Sequence, residues 1–89
     1  MMKKKLIERE IHYGIIRIDK RHRDEFPAEG TPIIVEDNTG RRVSTHMHRM
    51  VGRIDGLTEM HRVNHAYGNM TIELKYVGNN RCVLTYVHG

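Results

Sequence analysis

The most regular alternation in the chain runs from Met70 to Tyr76. Met70, Ile72, Leu74 and Tyr76 share one side of an extended strand, and Thr71, Glu73 and Lys75 share the other. Gly78-Asn79-Asn80 is a turn, and it leads into a last strand over Arg81 to Val87. Ile16 and Ile18 face one way, with Arg17 opposite them, and Ile33 to Val35 reads as a short buried strand. Asp37-Asn38-Thr39-Gly40 turns that strand into an antiparallel return over Arg41 to Met47. In this return Arg42, Ser44, His46 and His48 share one face, and Arg41, Val43, Thr45 and Met47 the other. Gly52 and Gly56 bracket another short strand, and Leu6 to Ile11 gives a first strand of ragged alternation.

Two segments break the period of two. Leu57, Met60, His61 and Asn64 recur at helical spacing, so Leu57 to His65 is read as a helix. Asp55 or Gly56 would cap it and Gly68 would stop it. Lys20 to Phe26 reads as a shorter helix that the Asp19 carboxylate caps and Pro27 ends. Many short strands on 89 residues imply one domain, residues 1–89. A closed or half-closed barrel with helices at its open ends leaves fewer unpaired edges than a flat sheet.

With 38% hydrophobic residues the core is modest. No apolar run is long enough for a membrane helix, and no apolar segment follows the basic start, Met1 to Lys5, as in a secretory signal. A cytoplasmic protein is expected, nucleoid-associated if the host is bacterial or archaeal. Cys82 is the sole cysteine, which excludes an internal disulfide and a cysteine-based zinc finger. It falls in the last strand and is read as a small core residue.

The formal charge of +4 points to a polyanionic partner, and its distribution sharpens the point. Between Asn38 and Ile54 there is no Asp or Glu, whereas Arg41, Arg42, Arg49, Arg53, His46 and His48 all fall there. An arginine-bearing β-ribbon fits the major groove, where arginine reads guanine with two hydrogen bonds. A second cationic group surrounds His12, Tyr13 and Gly14: Lys20, Arg21 and Arg23 would reach phosphates. Lys20 with Asp24, and Arg21 with Glu25, could instead form ordinary helix ion pairs. Tyr13 could stack on a base, but half-burial is the plainer expectation. His46 with His48, and His61 with His65, have metal-ligand spacing, yet no carboxylate completes a recognised motif, and His61 falls on the apolar helix face. No metal, cofactor or catalytic residue is assigned, and no phosphate-cradling glycine loop occurs.

The segment HYGIIRIDKRHRDEFP, His12 to Pro27, resembles the opening of the B-three family of DNA-binding domains. That family includes plant transcription-factor domains and the recognition domains of certain restriction endonucleases. The positions that carry the likeness are His12, Gly14, Arg21, His22, Asp24, Glu25, Phe26 and Pro27. The order continues through EDNTGRRVSTHMHRM, then Arg53, the helix Leu57 to His65, and Gly68-Asn69. The resemblance implies a mostly β, seven-stranded open pseudobarrel with two short helices. It implies two arms gripping the major groove, here His12 to Gly14 and Thr45 to Arg53. Both arms coincide with the groups picked out by charge and glycine placement.

The expectation is therefore a non-catalytic, sequence-specific binder of double-stranded DNA. Arg49 and Arg53 would meet base edges, assisted by His12, His46 and His48. Lys20, Arg21, Arg23 and Arg42 would hold phosphates. A catalytic or regulatory partner domain is conceivable, as in a restriction endonuclease. The rival readings are a histidine- or metal-dependent nuclease, a swapped-hairpin dimeric regulator, and a protein-interaction domain.

Overall fold

The computed structural model describes residues 1–48 and 52–88. Its elements are β1 (Met2–Lys5), α1 (Glu8–Tyr13), β2 (Ile16–Arg17), a 3₁₀ helix (Lys20–Glu25), β3 (Pro32–Asp37), β4 (Arg42–His48), β5 (Arg53–Ile54), α2 (Thr58–Val63), β6 (Thr71–Gly78) and β7 (Arg81–Val87). The strands form one curled seven-stranded sheet in the order β1-β6-β7-β3-β4-β5-β2. Among the described residues only the β3–β7 pairing is parallel; the other neighbours run antiparallel.

Alternation puts one row of each strand inside the curl. Met2, Leu74 and Leu84 align across β1, β6 and β7, and Val35 aligns with Cys82 across β3 and β7. All five are at most 1% exposed. The valine, leucine and methionine side chains among them each contribute about 1.5–3 kcal/mol by leaving water. Leu57 and Met60 of the α2 region and Phe26, just past the 3₁₀ helix, join the same core. The mostly β pseudobarrel expected from the sequence is what forms, with three short helical segments among the described residues rather than two.

The extra helix replaces an expected strand. Leu6 to Ile11 is not extended: β1 lies earlier, and α1 starts at Glu8. Glu10 drives this. Its Oε1 accepts from the Ile7 N–H at 3.0 Å, half of a capping box at the start of α1. Its Oε2 accepts from Lys4 Nζ at 2.7 Å and from the Arg17 N–H at 2.8 Å. Lys4 Nζ also donates to the Arg17 carbonyl at 3.3 Å. Glu10 has no exposed surface. Strands β1 and β2 are the two edges of the sheet, and this carboxylate spans the gap between them. An inward-turned lysine on an edge strand is one way such an edge is blunted.

Three expected caps differ. The Asp19 carboxylate makes no capping bond; it lies 3.8 Å from the Arg21 guanidinium, while the His22 N–H donates to the Asp19 carbonyl. Leu57 takes the N-cap place of α2, because the Asp55 carboxylate is engaged by Thr45 and His48. After α2 the left-handed residue is His65, at φ 54°, not Gly68. Gly68 instead packs on Glu8, whose carboxyl would collide with a Cβ there.

Two buried polar groups fix α2. His61 is 1% exposed, and its Nε2–H donates to the Ile15 carbonyl at 3.0 Å. That leaves Nδ1 to accept from the Tyr86 hydroxyl at 2.7 Å. Asn64 Nδ2 donates to Asp37 Oδ2 at 2.7 Å. Asp37 Oδ1 accepts from Thr39 N–H, Thr39 Oγ1 and Arg41 N–H, closing the β3–β4 turn. Burial raises the Asp37 pKa, but the bonds from Thr39, Asn64 and Arg41 together outweigh it and hold the carboxyl below its ordinary range.

Burial pushes the His61 pKa down, against the smaller upward pulls of the Ile15 carbonyl and the Glu10 charge. The unfolded chain then binds a proton that the folded one resists. Stability from this group is full above the ordinary histidine pKa of about 6.5 and declines as pH falls below it toward the folded value. Unfolding free energies measured from pH 7.5 to 5 should show that decline, and His61→Gln should flatten it. Glu10→Ala should cost about 3–5 kcal/mol in denaturant unfolding, because Lys4 and the Arg17 N–H lose their buried partner. A loss under about 1 kcal/mol would mean that the seam is not held there.

Candidate nucleic-acid interface

The candidate surface is built on the pairing of β2 with β5. Ile16 lies opposite Ile54 and Arg17 opposite Arg53. Both isoleucines are fully buried, so the period of two turns both arginines outward on one face. Directly opposed residues have Cβ atoms about 4.5–5.5 Å apart, and like charges in that relation destabilise a sheet. The next strand extends the row, since His48 on β4 pairs with Arg53. His48 Nε2 lies 3.1 Å from Asp55 Oδ2, and Thr45 Oγ1 donates to Asp55 Oδ1 at 3.2 Å. Among the described residues no carboxylate lies within ion-pair distance of Arg9, Arg17 or Arg53.

The end of α1 forms the facing wall. Arg9 and Tyr13 are four apart on the helix and so share a face. Tyr13 is 62% exposed, more than the half-burial expected, and His12 meets it edge-on at 4.8 Å between ring centres. Arg9, Tyr13, Ile15, Arg17, Arg53 and Asp55 line one open cleft of about 530 Å³. Tyr13 and Arg53 therefore stand on the same side of the molecule. The segment His12 to Gly14 is the end of α1 and its cap. Gly14 takes φ 66° as the helix cap, and its carbonyl accepts from Leu57 N–H, so a Cβ would strike Thr58 at the start of α2.

The remaining candidates scatter around this cleft. Lys20 and Arg21 are exposed on the 3₁₀ helix and, with Asp19, line a shallow depression. Glu25 pairs with His22 and with the amino group of Met1 rather than with Arg21. In a 3₁₀ helix, residues three apart eclipse and those four apart do not, which favours His22. Arg23 is half-buried, donates to the Ile18 carbonyl at 3.4 Å, and lies so close to Gly52 that a Cβ there would collide with its guanidinium. Arg42 pairs with Glu36 at 2.6 Å. It sits six residues, roughly 20 Å, along β4 from His48. His46 is exposed, its ring centre 5.3 Å from that of His48. Arg49 lies outside the described residues.

Arg9 and Arg17 were not among the residues picked from the sequence. Arg17 was readable as the outward residue between two inward isoleucines. Arg9 needed α1 to be recognised as a helix, so that its spacing from Tyr13 became meaningful.

Hydrolytic chemistry finds few groups. Both ring nitrogens of His61 are committed, so it does not join His65 as a ligand pair. No cluster of three or more metal-ligating side chains occurs among the described residues. Burial pushes the Cys82 thiol up to about 12, which leaves no thiolate for nucleophilic attack near neutrality. No helix among the described residues is long and apolar enough to cross a membrane.

No protein-family model matches this chain, and no curated protein is significantly similar to it. Solved structures are similar. One is the Arabidopsis FUS3–DNA complex, with TM-score 0.76 and 14% identity over 99% of this chain and 96% of that one. Another is a hypothetical Arabidopsis thaliana protein, with TM-score 0.72 and 14% identity over 97% of this chain and 87% of that one. At such identity the likeness is one of fold. The chain has the B-three-type pseudobarrel fold.

Proposed function

We propose that this protein binds double-stranded DNA through the major groove, as a module that carries out no reaction of its own. The observation that carries the reading is the Arg17–Arg53 pair: two arginines directly opposed on neighbouring strands, lining one cleft, with no carboxylate within ion-pair distance of either among the described residues. That arrangement costs stability in the free protein and is relieved by a polyanion. The net charge of +4 supports it, and so does the fold, which FUS3 shares in a structure solved with DNA.

In this reading Arg53 meets a base edge, with Arg49, His12, His46 and His48 assisting. Tyr13, Gly14 and Arg9 bring the end of α1 against the groove wall, and Arg17 shares the charge of Arg53. Lys20 and Arg21, both exposed, hold phosphates. Arg23 supports them from beneath while bracing Gly52, and Arg42 would reach a more distant phosphate by exchanging its partner Glu36. A catalytic or regulatory partner domain would act beside this module. The protein would sit with the chromosome, in the cytoplasm if the host is bacterial or archaeal.

Affinity for a duplex, measured at several salt concentrations, should fall on a log–log plot with a slope of about −4 to −5 if some five phosphates are neutralised. A slope near zero would remove the electrostatic basis of the reading. Arg53→Ala should weaken the preferred duplex by about 1–3 kcal/mol and relax base preference, whereas Lys20→Ala should weaken all sequences alike. Equal losses on preferred and random duplexes for both variants would overturn this division of roles. Duplex RNA should compete poorly, because its major groove is too narrow for side chains to read.

A further inference from the structure

One carboxylate lies among the cations of the cleft. Asp55 lines it together with Arg53 and is 36% exposed. An acid on a surface that receives phosphates repels them, so its position calls for a reason. Thr45 Oγ1 and His48 Nε2 each hold one of its oxygens, which fixes the carboxylate plane against β4. An ionised carboxylate has about four acceptor sites, more than these two contacts occupy, and Asp55 lines the cleft.

Arg53 and Asp55 are two residues apart, roughly 6–7 Å in extended chain, and line the same cleft. One offers only donors and the other only acceptors. The major-groove edge of a G·C pair presents the complement: guanine O6 and N7 accept, and cytosine N4 donates. We propose that Arg53 and Asp55 together read a single G·C pair, Arg53 at guanine O6 and N7 and Asp55 at the cytosine N4 amino group. This rests on the duplex-binding reading and gives that site its base preference. Arg17, opposite Arg53 on the neighbouring strand, offsets the repulsion between Asp55 and the flanking phosphates.

The test is a selection from a random duplex pool, followed by competition binding on the selected duplex and its variants. A G·C pair should be fixed at one position, and its replacement by A·T should weaken wild-type binding roughly 5- to 150-fold. Inosine in place of the guanine keeps O6 and N7 and should bind as well as the parent, whereas 7-deazaguanine lacks N7 and should bind more weakly. Asp55→Asn should narrow the preference for G·C over A·T at that position relative to wild type, while Arg53 still favours guanine and with it the paired cytosine. If Asp55 only tethered β4 to β5, the variant would weaken every duplex alike and keep the wild-type preference, which would overturn the proposal. Equal sensitivity to inosine and 7-deazaguanine would overturn it too. These two base analogues need no substitution in the protein, so the proposal can fail even where Asp55→Asn does not fold. Salt-dependent duplex binding without a fixed G·C pair sinks this inference alone. No salt-dependent duplex binding sinks the functional reading as well.

Discussion

A carboxylate with no exposed surface holds the two edges of this sheet together. Glu10 takes a lysine from β1 and a backbone N–H from β2, and with its other oxygen it starts the helix between them. A charge so deeply buried is tolerated only when it is paired and hydrogen-bonded, and removing either partner leaves an expensive orphan. The sequence run of three lysines at the start therefore serves as a strand whose middle lysine turns in. The curl of the sheet stays open as a ladder and is closed by side chains.

That closure sets the face of the candidate site. Residues 14–17 are held from several directions at once. The Gly14 carbonyl accepts from Leu57, the Ile15 N–H donates to the Glu10 carbonyl, the Ile15 carbonyl accepts from His61, and the Arg17 N–H donates to the Glu10 side chain. A strand of two residues has little pairing of its own, so these bonds decide where Arg17 stands. They place it opposite Arg53. Tyr86 of β7, through His61, and Asp37 of β3, through Asn64, anchor α2, which in turn braces the end of α1. The cleft is thus positioned by polar contacts that run back into the core.

Strands β3, β4, β6 and β7 were legible because one face of each is buried and the alternation is nearly unbroken. The apolar face of α2 was equally plain, His61 included. Strand β1 was hidden behind its lysines, and α1 behind Leu6 and Ile11, which suit a strand as well as a helix. The roles of Glu10 and His61 could not be read, since their partners come from distant parts of the chain. At the site, the acid-free window led to Arg53 and His48 but stopped one residue short of Asp55. It also left out Arg17 and Arg9, which only the β2–β5 pairing and the α1 fold bring beside them.

On the proposed function, the opposed arginines are kept for an anionic partner at the expense of the free protein. The most direct measurement follows unfolding free energy and duplex-DNA affinity together for Arg17→Gln. Relief of a cross-strand like-charge contact should raise stability by about 0.2–1 kcal/mol while DNA affinity falls. A variant that is less stable yet binds DNA as tightly as the parent would contradict the account.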